Sequence, residues 1–599
     1  MWRSYLSFIE SKKIETIFIH NLGNFDGLFL YNGLLKVVDN IKNINTIIDN
    51  KNTFISIYYS FFPNGDKDGK LSVITWKDSQ RLFPVKLNEL CDVMGVQGKT
   101  SDYNQAFNDI TLFDNKDLYK KFLEYSKQDS IALYNAMSNA QKIYLEKYFI
   151  DICDVLSASS LSLKIFRTHF QDTNIPILKN SVDHFIRKSY FGGATDYYKA
   201  YGKDLHYYDV NSLYPDAMVK PMPLNLIKTH KNMSDMKDFN TFFGFIRCKV
   251  TTPKNILKPI LPFKHVGKTI FPLGTWTATY FSEEIKEAIK LGYKFEFMEG
   301  YEFDKYPLFN SYVQDFFNQK KVAVGAQRFI CKLHLNSLYG IMGRKQELIK
   351  TVNIRKEELY KYVITSIILS IVEITNDIYV LLIQENLNNN ILNELNIKLN
   401  SEFKSYQNTV NSNVAIASAV TSNARIHMIP FKLNNDCYYS DTDSVILGNK
   451  LDPKFIGEEL GLMKDELKGE VIKEAYFLGL KQYGYSYFNR EKGKIVEKSV
   501  FAGVAKDSLT LMQIKELHQG GQIKKTIPTK FFKSFKNLSI KIKDLKITVT
   551  ANRDKKLFGG VYYPLIVEQN EMKYDLLSIF IGKIKCQLLK IKKIFSNPS

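Results

Sequence analysis

Aromatic and apolar runs alternate with turn-forming residues along much of the chain, a pattern that predicts strands joined by tight loops. Residues 438–447 contain a tyrosine-rich run, the turn sequence Ser-Asp-Thr-Asp and a Val-Ile-Leu run, which together predict a β-hairpin. Residues 207–209 form another aromatic run, which ends at Asp209 and leads into a turn or helix before Pro215. Residues 14–20 predict a strand near the start of the chain.

Helical spacing characterises the middle of the chain. Residues 309–344 are helical and basic in pattern. Lys320, Arg328 and Lys332 are spaced by eight and four positions, so we expect them to share one helical face. Gly340 is expected to end this helix. A basic helical face is usually a solvated surface, and here it leads directly into a polar and aromatic helix end.

The remaining apolar segments indicate a globular protein. Residues 221–308 are rich in strand-forming residues with Pro and Gly turns. The stretch 362–383 is strongly apolar, but Glu373, Asn376 and Asp377 interrupt it. These interruptions predict a buried helix or a pair of strands rather than a membrane span, and we expect no membrane partner.

Length, charge and cysteine content narrow the class of protein. A chain of 599 residues exceeds what one hydrophobic core supports, so several domains are expected. The formal charge of +20 favours a polyanionic partner such as nucleic acid, although an AT-rich gene would also enrich lysine. The six cysteines include no Cys-x-x-Cys pair, which argues against a zinc site or disulfide framework and for a reducing compartment.

Three acids at predicted strand ends suggest a metal site. Asp441 and Asp443 lie on the hairpin turn, where their like charges repel each other. Taken alone, such a pair is best interpreted as a solvated turn. If folding brings Asp209 beside Asp443, however, the two carboxylates would form a site for Mg²⁺ ions. Such a site activates an attacking oxygen and stabilises a leaving one during phosphoryl transfer.

Four motifs resemble those of family B DNA polymerases. Residues 209–215 (Asp-Val-Asn-Ser-Leu-Tyr-Pro) resemble motif A, and residues 332–340 (Lys-Leu-His-Leu-Asn-Ser-Leu-Tyr-Gly) resemble motif B. Residues 439–444 (Tyr-Ser-Asp-Thr-Asp-Ser) resemble motif C, and residues 481–483 (Lys-Gln-Tyr) resemble the Lys-x-Tyr motif. Their order and spacing resemble the protein-primed branch, which is found in certain bacteriophages, adenoviruses and linear plasmids of fungal and plant mitochondria.

The resemblance implies a role for each motif residue. Asp209, Asp443 and the Val210 carbonyl would bind metal, and Asp441 would support the catalytic site from beside it. The implied nucleotide-binding residues are Tyr214, Lys320, Lys332, Asn336 and Tyr339. The implied DNA-binding residues are Tyr190, Gly192, Gly193, Arg328, Ser337, Gly340, Lys481 and Tyr483. Lys332 and Lys481 would also act in catalysis.

Residues 20–27 and 125–129 resemble two motifs of a 3′–5′ exonuclease domain. The implied residues of this remnant are the metal ligands Asp26 and Asp129, the water-orienting Tyr125, and the single-strand contacts His20, Asn21 and Phe25. The family's Asp-x-Glu motif does not occur in the residues before Asn21. We therefore expect little or no proofreading, because a two-metal exonuclease site cannot form without these two carboxylates. Their absence would mean either an N-terminally truncated product or a decayed gene.

The predicted fold class is α+β multidomain, a right-hand polymerase with palm, fingers and thumb and a truncated ribonuclease-H-like exonuclease domain at the N-terminus. The predicted domains are 1–155 (exonuclease-like), 156–221 (linker and first palm part), 222–308 (first insertion), 309–346 (fingers), 347–408 (second insertion), 409–505 (second palm part) and 506–599 (thumb).

The sequence thus predicts a DNA-directed DNA polymerase that uses two Mg²⁺ ions, with Mn²⁺ as a substitute, in protein-primed replication of a linear plasmid. The expected partners are template–primer DNA, deoxynucleoside triphosphates and a terminal protein in trans, and the expected state is a monomer. The mitochondrion is the predicted location, with the cytoplasm as the alternative. Two rival functions stay open: a nuclease, which the missing Asp-x-Glu disfavours, and an inactive DNA-binding relic or fragment.

Overall fold

The structure, a computed structural model, describes residues 1–49, 53–63, 71–98, 103–233, 239–345, 349–374, 377–384, 412–534, 538–551 and 554–568. Within these ranges, no helix is both long enough and apolar enough to cross a membrane. The predicted second insertion and thumb both extend beyond the described residues.

The elements are numbered in chain order. The helices are α1 (Trp2–Ser11), α2 (Asp26–Val37), α3 (Ser79–Leu82), α4 (Leu87–Met94), α5 (Lys116–Tyr148), α6 (Ala158–His169), α7 (Asn180–Arg187), α8 (Leu213–Met218), α9 (Ser282–Lys290), α10 (Asn310–Val322), α11 (Gly325–Met342), α12 (Leu359–Thr365), α13 (Val414–Leu433) and α14 (Leu511–His518). Short 3₁₀ helices lie at Ile41–Asn43, Gln105–Asn108, Ile110–Phe113, Ile152–Asp154, Lys356–Glu358 and Pro453–Phe455.

The strands complete this inventory. They are β1 (Thr16–Ile19), β2 (Ile44–Ile48), β3 (Phe54–Phe61), β4 (Ser72–Asp78), β5 (Thr195–Tyr197), β6 (Tyr201–Gly202), β7 (His206–Val210), β8 (Met222–His230), β9 (Gly244–Thr251), β10 (Phe263–His265), β11 (Lys268–Ile270), β12 (Leu273–Phe281), β13 (Lys294–Tyr306), β14 (Ile349–Arg355), β15 (Ile367–Glu373), β16 (Ile378–Gln384), β17 (Cys437–Asp441), β18 (Ser444–Leu447), β19 (Met463–Asp465), β20 (Ile472–Gly479), β21 (Gln482–Asn489), β22 (Lys494–Phe501), β23 (Ile523–Ser534), β24 (Ser539–Val549), β25 (Lys556–Phe558), β26 (Val561–Tyr563) and β27 (Ile566–Glu568).

The N-terminal unit is a four-stranded sheet in the order β1-β4-β3-β2, packed against helices. The predicted strand near residue 16 is β1, and residues 125–129 lie on the predicted helix, α5. Strands β1 and β4 are parallel, and Ile19 at the end of β1 pairs with Asp78 at the end of β4. The loops that follow these strands therefore meet at one edge of the sheet.

The central sheet has the order β19-β7-β18-β17-β5 and contains the predicted hairpin as β17 and β18. Strand β7 is the predicted aromatic strand, and helix α8 follows it, beginning at Leu213 and containing Pro215. Because β7 pairs directly with β18, two strands far apart in sequence present their ends side by side. An adjoining sheet, β22-β21-β20-β6, extends this region.

The two predicted insertions form sheets separate from the central sheet. The strand-rich segment after residue 221 forms the sheet β27-β12-β9-β13-β8 with helix α9 packed against it, and β27 comes from the end of the described chain. The apolar stretch 362–383 forms the end of α12 and the antiparallel pair β15–β16, as the interruptions by polar residues predicted. Strand β14 adds to this pair and contacts β2 of the N-terminal unit.

The basic helix is divided in two, which corrects the prediction of one continuous helical face. Lys320 lies at the end of α10, whereas Arg328 and Lys332 lie on α11. Gly325 has a φ of +53°, a left-handed conformation that suits the reversal between the helices. Nor does Gly340 end the helix: α11 continues to Met342, and Gly343 is its C-cap.

The largest cluster of buried apolar side chains joins helices of the N-terminal unit and fingers to the central sheet. Tyr144 of α5, Leu338 of α11, Val420 of α13 and Val445 of β18 all belong to it. A separate cluster beneath the N-terminal sheet includes Leu538, which precedes β24. The long hairpin β23–β24 therefore packs against the N-terminal unit as well as following α14.

Candidate active site

The turn between β17 and β18 lies beside the end of β7. Ser444 pairs with Asp209 across these strands, and the backbone N–H of Val210 donates to the Asp443 carbonyl at 2.8 Å. Thr442, at the turn, has a φ of +59° and donates its N–H to the Ala194 carbonyl at 2.9 Å. The structure thus brings Asp209, Val210 and Asp443 together, as the motif order led us to expect.

The electrostatics of this pair favour a bound cation. Burial, together with the negative charges of Asp443 and Glu466, raises the pKa of Asp209 to about 7. Burial and the charge of Asp441 likewise raise the pKa of Asp443. Two half-buried carboxylates that resist ionisation side by side are stabilised as anions when a divalent cation lies between them.

Asp441 has a different environment from Asp443. Lys481 donates to both Asp441 carboxylate oxygens at 2.9 and 2.7 Å, and the Thr195 hydroxyl donates to Oδ1 at 2.8 Å. The Lys481 N–H donates to the Tyr439 hydroxyl at 2.9 Å. Asp441 is therefore committed to a cation and a hydroxyl of the protein, which supports its assignment beside the metal site.

Helices α10 and α11, the predicted fingers, contact the loop and helix that follow β7. The rings of Tyr214 and Tyr339 are stacked with their centroids 4.4 Å apart. Lys320 Nζ donates to the Ser212 hydroxyl at 3.0 Å, which ties α10 to the loop after β7. Burial and the nearby cations Arg328 and Lys332 lower the pKa of Lys320. Of these cations, Lys332 is close enough to Asp209 to lower its pKa, and Lys320 lies near both Lys332 and Arg328.

Helix α11 separates a binding face from a buried face. Lys332, Asn336 and Gly340 are exposed, and Ser337 and Tyr339 are partly exposed. On the buried face, His334 lies between the hydroxyls of Tyr144 and Ser162 at 2.8 and 2.7 Å. Burial lowers the pKa of His334 to about 3, so the imidazole is neutral. This network fixes the rotation of α11 and directs its polar residues towards the site.

The loop Tyr190-Phe191-Gly192-Gly193 lies against residues 441–444, the turn between β17 and β18, which we name the catalytic turn. A Cβ on Gly193 would lie 2.5 Å from the Thr442 methyl, so only glycine fits there. Arg425 of α13 donates to the carbonyls of Phe191 and Gly192 at 3.0 and 2.8 Å. The Tyr190 ring lies against Gly343, where a Cβ would be 2.6 Å away. The loop is therefore held between the catalytic turn and the end of α11.

Two predicted DNA-binding residues have mainly protein neighbours. Tyr483 is 7% exposed and packs in an aromatic cluster, with its ring 4.7 Å from that of Tyr439. Arg328 donates to the Lys320 carbonyl at 2.6 Å and its side chain is exposed enough to contact a ligand. Direct contact with DNA thus stays a prediction for both residues.

The exonuclease-like motif lies at the edge where β1 and β4 end. Asp78 accepts from the backbone N–H of Asn21 at 2.9 Å, of Gly23 at 3.2 Å and of Gln80 at 3.0 Å. Asn21 has a φ of +66°, and its side-chain oxygen accepts from Asn24 at 2.7 Å. Asp78 therefore shapes the loop that carries Asn21 and Phe25.

The other exonuclease residues are spread over the unit. Asp26 begins α2, and burial followed by the charge of Asp78 raises its pKa. Phe25 is 40% exposed and contacts Phe531 of β23 at 5.7 Å. Tyr125 contacts the rings of Tyr103 and Phe107, each within 6 Å. Asp129 is partly buried on α5.

His20 is also engaged within the protein, through Ser79 at 3.0 Å and the Val85 carbonyl at 3.1 Å. Both of its ring nitrogens contact the loop after β4. The predicted single-strand contact by His20 therefore competes with two hydrogen bonds that hold this loop.

The structure shows four residues near the candidate site that the sequence motifs did not indicate. Arg425 forms a buried ion pair with Glu284 of α9, with 2.7 Å between Nε and Oε1. Arg425 ends an otherwise uncharged run from Val414, a signal for a buried, paired charge. Glu466 adds negative charge near Asp209, and Thr195 binds Asp441. Neither of these two has a local sequence signal, because only the pairing of strands brings them to the site.

A family model described as "DNA polymerase type B, organellar and viral" matches residues 99–435, more than half of the chain. The chain belongs to this family of type B DNA polymerases. The match confirms the family predicted from the motifs at 209–215 and 332–340, both of which lie inside the matched region.

Known proteins similar to this chain include two named "Probable DNA polymerase". The protein from Podospora anserina is 29% identical over 633 residues, which cover 90% of this chain and 52% of that protein. The protein from Neurospora intermedia is 33% identical over 490 residues, which cover 78% of this chain and 47% of that protein. The chain thus spans about half the length of these relatives.

A solved structure shares the fold. Phi29 DNA polymerase, complexed with primer-template DNA and incoming nucleotide substrates, matches with a TM-score of 0.68 and 19% identity over 92% of this chain and 93% of that one. At this identity the similarity concerns the fold alone. It confirms the mixed α+β multidomain architecture, whereas the finer division into domains stays a prediction.

Proposed function

We propose that this chain catalyses template-directed DNA synthesis, in which a primer 3′-hydroxyl attacks the α-phosphate of a deoxynucleoside triphosphate and pyrophosphate leaves. The observation that carries this proposal is the placement of Asp209 beside Asp443 on neighbouring strands. Membership of the type B polymerases supports the reaction class. The dNTP and primer–template DNA are the substrates implied.

The donor set fits divalent magnesium. Asp209 and Asp443 offer carboxylate oxygens, and Val210, which follows Asp209 and donates its N–H to the Asp443 carbonyl at 2.8 Å, offers a carbonyl oxygen. Burial and like charges raise the pKa of both acids, so a bound cation would stabilise them as anions. When bound, two Mg²⁺ ions, or Mn²⁺ in their place, would activate the attacking oxygen and neutralise the leaving phosphates.

The protein's own residues orient the substrates. Lys332 and Lys320, together in front of Asp209, donate to the triphosphate oxygens, where charge-assisted bonds strengthen as charge develops in the transition state. Asn336 adds a polar contact from the exposed face of α11. The stacked Tyr214 and Tyr339 hold the nucleotide, and Tyr214 closes the space that a 2′-hydroxyl would need.

The opposite side of the turn holds DNA. Lys481, which pairs with Asp441, is more than half exposed and reaches the primer end. Gly192 and Gly193 bring backbone close to the same turn, and Ser337, Gly340 and Arg328 face the template from the fingers. Tyr190 and Tyr483 support these contacts from the loop and from β21.

We infer little proofreading by this chain. Asp78 is the acid whose charge acts on Asp26, and both carboxylate oxygens of Asp78 already accept backbone N–H groups. A carboxylate used in this way shapes a loop rather than binding a metal ion. Asp26, Tyr125 and Asp129 are then a remnant of an exonuclease site.

The biological setting follows from the family. An organellar polymerase of this type would replicate a linear plasmid in mitochondria, with a terminal protein in trans supplying the first hydroxyl. The cytoplasm is the alternative location. A monomer suffices for the proposed chemistry, because Asp209, Asp443 and the facing cations all belong to one chain.

Primer extension with Mg²⁺ and the four dNTPs tests the proposal. Asp443→Asn and Asp209→Asn should each lower the extension rate about a thousandfold, since each removes charge that holds the metal ions. Glu458→Gln, at an exposed acid of the same region, is the matched control and should extend like the native chain. Extension by Asp443→Asn at the native rate, or none by folded native protein, would contradict the proposal.

A further inference from the structure

A buried ion pair joins the end of the described chain to the central sheet. Lys555 Nζ contacts Asp196 Oδ1, and the side chains are 8% and 6% exposed. The same ammonium donates to the Tyr197 carbonyl at 3.2 Å and lies over the rings of Tyr197 and Tyr198 at 5.0 and 5.4 Å. Lys555 follows the hairpin β23–β24 and immediately precedes β25.

Strand β5, which carries Asp196, supports the catalytic turn. Its Thr195 donates to the Asp441 carboxylate at 2.8 Å, and the preceding Ala194 carbonyl accepts the Thr442 N–H at 2.9 Å. In the sheet, Asp196 pairs with Ser440 of β17. A shift of β5 by one position would therefore move both contacts that hold the turn carrying Asp443.

The segment after Lys555 contacts the residues that directly follow β5. The N–H of Tyr562 donates to the Tyr198 carbonyl at 2.8 Å, and that of Ala200 donates to the Gly560 carbonyl at 2.9 Å. The Tyr562 hydroxyl donates to the Phe477 carbonyl at 2.8 Å. Strand β5 thus pairs with β17 of the catalytic hairpin, while Lys555 contacts β5 itself and residues 560–562 contact the residues just after it.

Burial of such a pair is costly, and apolar residues of similar volume usually give equal or greater stability. Asp196 Oδ2 is buried and has no hydrogen-bond partner among the described residues, so the pair is not optimised for stability alone. A buried charge pair is, however, specific for one register, because slippage would leave each charge uncompensated.

We propose that Asp196 and Lys555 are positioning residues, which lock residues 555–563 onto β5 and thereby fix the turn that carries Asp441 and Asp443. This inference rests on the proposed polymerase function. The lock links the return of the chain from the β23–β24 hairpin to the side of the turn where Lys481 meets the primer. The nucleotide side, with Tyr214 and Tyr339, lies across the carboxylates and is not part of the lock.

The test compares Lys555→Met and Asp196→Asn with the apolar double variant Asp196→Leu/Lys555→Met. Each single variant should lower kcat about tenfold and raise the KM for primer–template, with the KM for dNTP within twofold of native. The double variant should recover the native melting temperature but keep the lowered kcat. Recovery of both would mean that the pair only stabilises the fold and would overturn the proposal.

The exposed pair Lys268–Asp554 offers a matched control, because it also ties this segment to the protein, at 3.2 Å. Lys268→Gln should leave kcat and both KM values unchanged. A tenfold loss in this control would show that any weakening of the segment suffices, which would also overturn a specific role for Lys555.

Hydrogen exchange gives a readout independent of activity. In Lys555→Met, or in Lys555→Gln if the former does not fold, amides of residues 437–447 should exchange at least fivefold faster than in the native chain, and those of α11 should not. Native exchange in 437–447 would refute the lock. If the native chain shows no extension but the exchange difference is present, the proposed function fails while the lock stands.

Discussion

The catalytic turn and the exonuclease-like loop both place an acid where a strand ends, yet Asp78 of the loop has surroundings different from those of Asp209 and Asp443. Asp209 and Asp443 face each other, and burial and repulsion raise the pKa of each. Asp78, at the end of β4, accepts three backbone N–H groups from the loops beside it. A bound cation would stabilise the first pair as anions, whereas Asp78 is satisfied by the protein itself. The neighbouring Asp26 is not, because burial and the charge of Asp78 raise its pKa.

This difference distinguishes carboxylates that take part in a reaction from carboxylates that stabilise a loop. A carboxylate whose hydrogen-bond capacity is filled by backbone groups stabilises a loop. A carboxylate held near a like charge is retained at a cost in stability, and a functional ligand offsets that cost. Changes at the catalytic turn should therefore affect the reaction, and changes at the exonuclease-like loop should affect stability.

The largest effect among the residues around the turn is expected for Lys332→Met. Loss of this cation removes a charge-assisted contact to the triphosphate, and kcat/KM for dNTP should fall about 100-fold. Lys321→Met is the control, since Lys321 pairs with Glu459 at 2.7 Å on the surface of the neighbouring helix. Steady-state extension at varied dNTP concentrations measures both, and a loss of less than threefold for Lys332→Met would contradict its role.

A smaller effect is expected on the primer side. Lys481→Met removes the cation beside Asp441, and kcat should fall about thirtyfold, equivalent to one charged hydrogen bond of about 2 kcal/mol. The KM for dNTP should stay within twofold, because the nucleotide is held from the fingers. Single-turnover extension separates the effect on kcat from the effect on the KM for dNTP. A change confined to the KM for dNTP would contradict the position of Lys481 on the primer side.

At the exonuclease-like loop the expected change is in stability. Asp78→Asn leaves a backbone N–H without its charged acceptor and should lower the free energy of unfolding by about 1–3 kcal/mol. Primer extension below the melting temperature should remain within twofold of native. Thermal denaturation checks the first statement, with Asp92→Asn, at an exposed acid of α4, as control. A tenfold loss of extension would link this loop to synthesis.

The smallest effect concerns Asp209 without divalent ions. Because its pKa is raised to about 7 in the folded chain, its favourable contribution to stability is complete below about pH 4 and is lost as the pH rises through about 7. Asp209→Asn removes this loss of stability at high pH, because the amide does not ionise. In EDTA at pH 8 the variant should be more stable than native by about 1 kcal/mol, after reduction for solvent screening of the half-exposed carboxyl.

The pH dependence provides the check. The difference in melting temperature should shrink towards about pH 4 and should reverse when Mg²⁺ is added at pH 8. A variant that is less stable than native at pH 8 in EDTA would show that Asp209 is already compensated within the protein.

The sequence predicted the parts of the site that lie in continuous motifs. The hairpin at 438–447 and the strand at 207–209 are present, because alternating aromatic residues and a short acidic turn specify them locally. The family follows from the order of the motifs. The reversal between Lys320 and Arg328 was missed, because eight-residue spacing fits one helix as well as two packed helices.

Contacts that depend on strand order could not be predicted. Thr195 reaches Asp441 because β5 pairs with β17, and Glu466 approaches Asp209 because β19 pairs with β7. Lys555 is hundreds of positions from Asp196 and carries no local pattern. Such residues become recognisable only when the fold shows which strand edges meet.

The most direct test of the contrast between the two regions uses one primer with an unpaired 3′ end and one with a paired end, in the same preparation. The account predicts extension of the paired primer that is lost in Asp443→Asn and kept in Asp26→Asn, with little trimming of the unpaired end by any of the three proteins. Strong trimming by the native chain that Asp26→Asn abolishes would contradict it, because the exonuclease-like loop would then be a second active site.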